Sequence, residues 1–222
     1  MPDRKAHRRT LVTFLLDHSA PMTEIRDTTI AGFNSYLDIL KAAGDRIEFT
    51  LLLYNSEGLD QLHVGEPIVS VPHLTRKTYA PRGTTPLIDA AHKGITAIEE
   101  CLRNRKDKPK VVVSIQSGSE DNASTEHTWN ELAALVTQQA ARGWEFNVLG
   151  AGMKVADQGR RMDLDPFRIL RYDPSSAAKT KLSFRLAARN IKEFACGEVD
   201  NTGYSGWQMC EAQVLFPPVA RS

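Results

Sequence analysis

With 222 residues, 41% of them apolar and 25% charged, the chain can bury one sizeable core and is short for two full domains. A net charge of +1 argues against global attraction to nucleic acid or anionic membranes, and three cysteines without a CxxC spacing exclude a disulfide framework and a zinc ribbon. No apolar run is long enough to span a bilayer and the start MPDRKAHRR lacks a secretory apolar stretch, so the expectation is an intracellular, cytoplasmic chain.

Residues 1–9 read as a basic tail in which Arg4, Lys5, His7, Arg8 and Arg9 are solvated or touch phosphate. The run from Thr10 to Met22, TLVTFLLDHSAPM, opens with the composition of a strand buried on both faces and ends at Asp17 in a polar turn. Such a strand would deliver Asp17, His18 and Ser19 to the carboxyl edge of an open α/β sheet, where ligands bind. The plainer reading has Asp17 and Ser19 satisfying a turn and capping the next helix.

Ile30, Phe33, Leu37 and Leu40 then recur at helical spacing, with Gly44 as a stop. Ile47 to Asn55 reads as a buried strand, and 61–71, broken by Gly65 and Pro67, as an edge hairpin or irregular pair. The turn PRGTTP opens a helix from about Leu87 to Asn104, with Thr85 as N-cap, Pro86 as first residue, Asp89 in the first turn and Cys101 as a small buried residue. Val111 to Ile115 is strand-like, and Gln116 to Thr125 is expected as a polar loop beside Asp17. Trp129, Leu132, Leu135 and Val136 share a helical face ending near Gly143, and Trp144 to Gly150 is a further strand.

Beyond Gly152 the pattern weakens. AGMKVADQGRRMDLDPF shows charges and turn residues, FRILRYD suits a short last strand, and SSAAKTKLSFRLAARNIKEF suits a basic final helix burying Leu182, Leu186, Ile191 and Phe194. Tyr204, Trp207 and Phe216 would cover a core edge or anchor a partner. The alternation predicts a doubly wound α/β fold: a mostly parallel sheet with helices on both faces, occupying 10–173, with 174–222 as a helix and irregular extension packed on it.

DHSAP resembles the Asp-x-Ser-x-Ser loop of von Willebrand factor type A domains, whose metal-ion-dependent adhesion site holds a divalent cation. PRGTTPLIDA and VVVSIQSGSEDNAS fall where that family keeps its second and third site loops, and the likeness, strongest to small stand-alone bacterial and phage members, runs from about Thr10 to Gly152. It implies a magnesium site on Asp17, Ser19 and Thr85. Two positions depart from the family pattern. Pro21 stands where a second serine belongs, and Gln116-Ser117-Gly118 replaces Thr-Asp-Gly, which puts the Ser117 hydroxyl where a carboxylate is expected. A magnesium ion wants carboxylates to offset its charge, so the departures predict weak or absent binding unless Glu120 or Asp121 turns inward.

The function these features imply is a protein–protein interaction module. It would dock a partner through 17–22, 80–86 and 116–125, with His18, Thr84, Gln116, Ser117, Glu120 and Asp121 at the contact. The resemblance suggests a MoxR-type ATPase or a phage or conflict system as the setting, and a magnesium-dependent version of the same site is the alternative. No Gly-x-Ser-x-Gly elbow, Walker loop or Gly-x-Gly-x-x-Gly is present, and Asp17-His18-Ser19 are adjacent and cannot form a triad. His63, His73, His92 and His127 show no ligand spacing. A non-catalytic role is therefore expected, ahead of an unknown enzyme or of nucleic-acid binding through the basic N-terminus and the Lys179 to Arg189 face.

Overall fold

The first strand, β1 (Thr10–Asp17), is buried over its whole length. Its apolar side chains alternate: Val12, Phe14 and Leu16 face one layer of helices, Leu11 and Leu15 the other. That is why it lies inside the sheet. The computed structural model describes residues 8–151 and 154–212. The bulk of the basic tail, Gly152 and Phe216 lie outside the described residues.

Around β1 the order is β3-β2-β1-β4-β5-β6. The other strands are β2 (Ile47–Asn55), β3 (Gly58–Pro67), β4 (Lys110–Ser117), β5 (Glu145–Ala151) and β6 (Ile169–Tyr172). All neighbours pair in parallel except β2 and β3, a hairpin with register irregularities between Phe49 and Leu52. Both β2 and β4 flank β1 in parallel, so the strand order reverses beside it and a crevice opens at its carboxyl end.

One layer holds α1 (Arg26–Lys41), α5 (Ala177–Cys196) and the short α6 (Gly206–Ala212). The other holds α2 (Leu87–Arg103), α3 (Trp129–Ala140) and α4 (Lys154–Arg161). Phe14 anchors the first layer, edge-on to Phe33 at 5.3 Å and Tyr36 at 4.9 Å and stacked on Phe184 at 6.2 Å.

Several expectations are corrected. The stretch after Gly152 contains α4, whose buried Val155, Gln158 and Gly159 carry too few apolar residues to show a periodic stripe. The helix α5 is not the last, because α6 follows it, and Leu182 is only partly buried. Cys101 is exposed. Thr85 is not the N-cap of α2; Pro86 holds that position without a side-chain bond, and the third loop caps the helix instead. There Ile88 N–H donates to Asp121 Oδ1 at 3.2 Å and Asp89 N–H to Ser124 Oγ at 3.1 Å.

Candidate functional site

Asp17 is the last residue of β1 and is fully buried. Its Oδ1 accepts from Ser19 N–H at 2.9 Å and from the Ser19 hydroxyl at 2.5 Å, while Oδ2 accepts from Gly118 N–H at 3.0 Å. Burial pushes its carboxyl up, more than the Ser19 and Gly118 bonds pull it down. The chain continues outward: Thr85 donates to Ser19 Oγ at 2.9 Å, and Thr85 and Ser119 share a hydroxyl contact at 2.7 Å. Asp17, Ser19 and Thr85 therefore meet in one hydrogen-bonded chain.

Backbone bonds zip the three loops together. Ala20 N–H donates to Gly83 O at 2.9 Å, Arg82 N–H to His18 O at 2.8 Å and Asn122 N–H to Thr85 O at 3.0 Å. Gly83 sits at φ +71°, where a Cβ would be strained and would meet Ser56 Oγ at 2.6 Å. Asn122 Oδ1 also accepts from Thr85 N–H at 2.8 Å. The loops thus form a single interlocked surface.

Beneath them lies a scaffold. Gln116 Nε2 donates to the Tyr172 hydroxyl at 3.0 Å and its Oε1 accepts from Asp17 N–H at 3.3 Å, while the Tyr79 hydroxyl donates to Asp17 O at 2.6 Å. His18 stacks on Tyr79, and its Nε2 accepts from Ala80 N–H at 3.0 Å. Both His18 and Gln116 are buried. The structure thus removes them from the exposed contact surface on which the sequence put them: strand β4 runs on to Ser117, so Gln116 stays inside the sheet.

Ser117 is also buried, and its hydroxyl donates to Ser119 O at 2.7 Å. It braces the loop and does not take the place of the absent carboxylate; the hydroxyl that reaches the cluster belongs to Ser119. Sequence reading missed Ser119, Gly118 and Asn122 as members of the cluster, because which hydroxyl of the loop turns inward is set only by its fold. Thr84 and Glu120 are exposed at the rim, with Glu120 paired to Lys154 at 3.0 Å. Asp121 faces the start of α2.

A divalent cation would be held by Asp17, Ser19, Thr85 and Ser119, but the donor set does not fit one. The cluster offers a single carboxylate, and both of its oxygens are already accepting hydrogen bonds. A cation among these oxygens would break the hydroxyl chain from Thr85 through Ser19 to Asp17 and leave most of its charge uncompensated. Among the described residues no group of three or more His, Cys, Asp or Glu side chains could hold a metal.

No protein-family model and no curated protein sequence matches the chain. Solved structures do. The pilus adhesin SpaC from Lactobacillus rhamnosus GG superposes with TM-score 0.63 at 13% identity, over 84% of this chain and 31% of that one. Manganese-loaded TRAP of Plasmodium vivax gives 0.57 at 16% identity, over 81% and 74%. A von Willebrand factor type A protein from Catenulispora acidiphila gives 0.55 at 11% identity, over 83% and 43%.

The chain has a von Willebrand factor A fold. It spans about a third of SpaC and under half of the Catenulispora protein. In this von Willebrand factor A fold the cluster at Asp17 lies at the carboxyl edge of the sheet, beside the strand-order reversal. Among the described residues no helix is long and apolar enough to cross a membrane.

Proposed function

We propose that the chain is a protein-binding module that docks its partner on the interlocked loops at the carboxyl edge of the sheet, without a resident metal ion and without turnover. The observation that carries the reading is the zipping of three loops by backbone bonds around a buried, hydrogen-bonded carboxylate. A surface held in one shape before contact loses little conformational freedom on binding, which raises affinity. Pro21, Thr84, Glu120 and Asn122 form its exposed rim. The pilus adhesin SpaC shares the fold, which supports a binding role.

Reaction chemistry finds little purchase at the cluster. The His18 imidazole is spent on Ala80 N–H and stacks away on Tyr79, so it is not a base for Ser19. An ATPase of the MoxR type, in a bacterial or phage cytoplasmic setting, is the partner class that the sequence resemblance supplies.

The test is partner capture on the immobilised chain, in chelator and in magnesium, with wild type and Thr84→Arg/Glu120→Arg. Retention in chelator and loss in the double variant, with an unchanged melting temperature, supports the reading. Retention that needs magnesium, together with magnesium heat in calorimetry that Asp17→Ala abolishes, overturns the metal-free site.

A further inference from the structure

The opposite end of the sheet carries a cavity of about 530 Å³ near the start of β4 and the ends of α2 and α3. Its apolar lining comes from Leu102, Val111 and the indole of Trp144, which stacks on buried Phe146 at 6.4 Å. Its cationic lining includes Arg8, Arg103 and Lys108, and Glu99 is its one carboxylate. Arg8 donates from Nε to Lys108 O, which fixes the two side by side.

Cations at helix C-termini ordinarily answer the helix dipole, and Arg103 and Arg142 do so at α2 and just past α3. Arg142 is neutralised by Glu99 at 2.5 Å. Lys110 turns its ammonium away to Phe194 O at 2.8 Å. Arg8 and Lys108 belong to no helix, Lys108 has no ion-pair partner among the described residues, and Arg103 shares the field of the Glu99 carboxylate with Arg142. The two helix ends together supply roughly one negative charge, so the remaining cations exceed what they require.

We propose that this cavity binds a nucleotide, with its base against Trp144 and its phosphates on Arg8, Arg103 and Lys108. The volume lies in the range of small-molecule sites. The indole offers a fixed flat surface on which any base can stack, and guanidinium groups match phosphate geometry. The lining combines an aromatic ring with several cations, the two kinds of group that a nucleotide engages.

The experiment is calorimetric titration of the full chain with adenosine diphosphate at low salt and without divalent cations. Tryptophan fluorescence serves as the second readout. The expected result is saturable binding with quenching, weakened about tenfold or more in Arg103→Gln/Lys108→Gln and in Trp144→Leu, with melting temperatures close to wild type. Absence of binding at millimolar nucleotide overturns the proposal, as does binding that the double variant leaves intact. Pyrophosphate bound as tightly as adenosine diphosphate overturns the base pocket. Tighter binding of an oligo-deoxythymidine, falling steeply with salt, replaces a nucleotide with a strand.

Discussion

The Thr85 hydroxyl lies 2.7 Å from the Ser119 hydroxyl, and this contact ties the second loop of the site to the third. Thr85 is fully buried and also donates to Ser19. Replacing it with valine keeps the shape and removes both bonds, leaving two neighbouring hydroxyls short of a partner. Thr85→Val should cost about 1–3 kcal/mol in urea unfolding. A change inside error would mean that water takes over the lost bonds.

Asp17 gives a pH signature. Its carboxyl is raised above the ordinary 3.8, chiefly by burial. A carboxyl raised on folding stabilises most below its unfolded value, and that contribution falls as pH rises through the folded value. The stability of wild type minus that of Asp17→Asn should therefore shrink as pH climbs from about 4, then level off. Urea titrations at several pH values check it; a difference that grows with pH would show that Gly118 and Ser19 favour the ionised form.

The fold was legible because its signals are local. Uninterrupted apolar runs at 11–16, 47–54 and 111–115 mark parallel strands, and those at 11–16 and 111–115 end in loops that meet through Asp17 and Gly118. What stayed hidden depends on which way a side chain turns after folding. Gln116 looks like a loop residue but is kept inside by the two extra residues of β4, and Asp121 looks available to a metal but caps α2. The short α4 shows no apolar stripe because it meets the sheet through one apolar side chain, Val155, and through Gly159, whose Cβ would meet Ile169 Cδ1 at 2.5 Å.

His92 and His127 stack with their rings 3.6 Å apart. Burial first, then His127, holds His92 below the ordinary 6.5. A histidine lowered on folding leaves the unfolded chain binding more protons, so stability present above 6.5 is lost as pH falls toward the folded value. Wild type should lose stability across that window and His92→Gln should lose less, measured by thermal melts; parallel curves would refute the coupling.

Gly150 lies beneath the third loop. A Cβ there would sit 2.3 Å from Ser117 O and 2.7 Å from Val155 Cγ2, and a backbone oxygen cannot swing aside. Gly150→Ala should destabilise by about 1–3 kcal/mol through overpacking. It should also weaken partner capture more than Thr85→Val does, because the shift falls on the backbone that carries Gly118.

Phe184 decides whether the segment after 173 completes the domain. It stacks on Phe14 and lies 6.2 Å from Tyr172, and it fits over Gly32 so closely that a Cβ there would meet its ring at 2.6 Å. If α5 is part of the core, Phe184→Ala should cost about 3–5 kcal/mol, as large buried aromatics do. Trp207, on the same C-terminal segment, is 75% exposed, and Trp207→Ala should stay within about 0.5 kcal/mol. Urea unfolding of both variants separates the cases. A large loss from Phe184 in a single transition means that α5 folds with the sheet, whereas a small loss, or a second transition at low urea, would make it an appendage whose contact with Phe14 is dispensable.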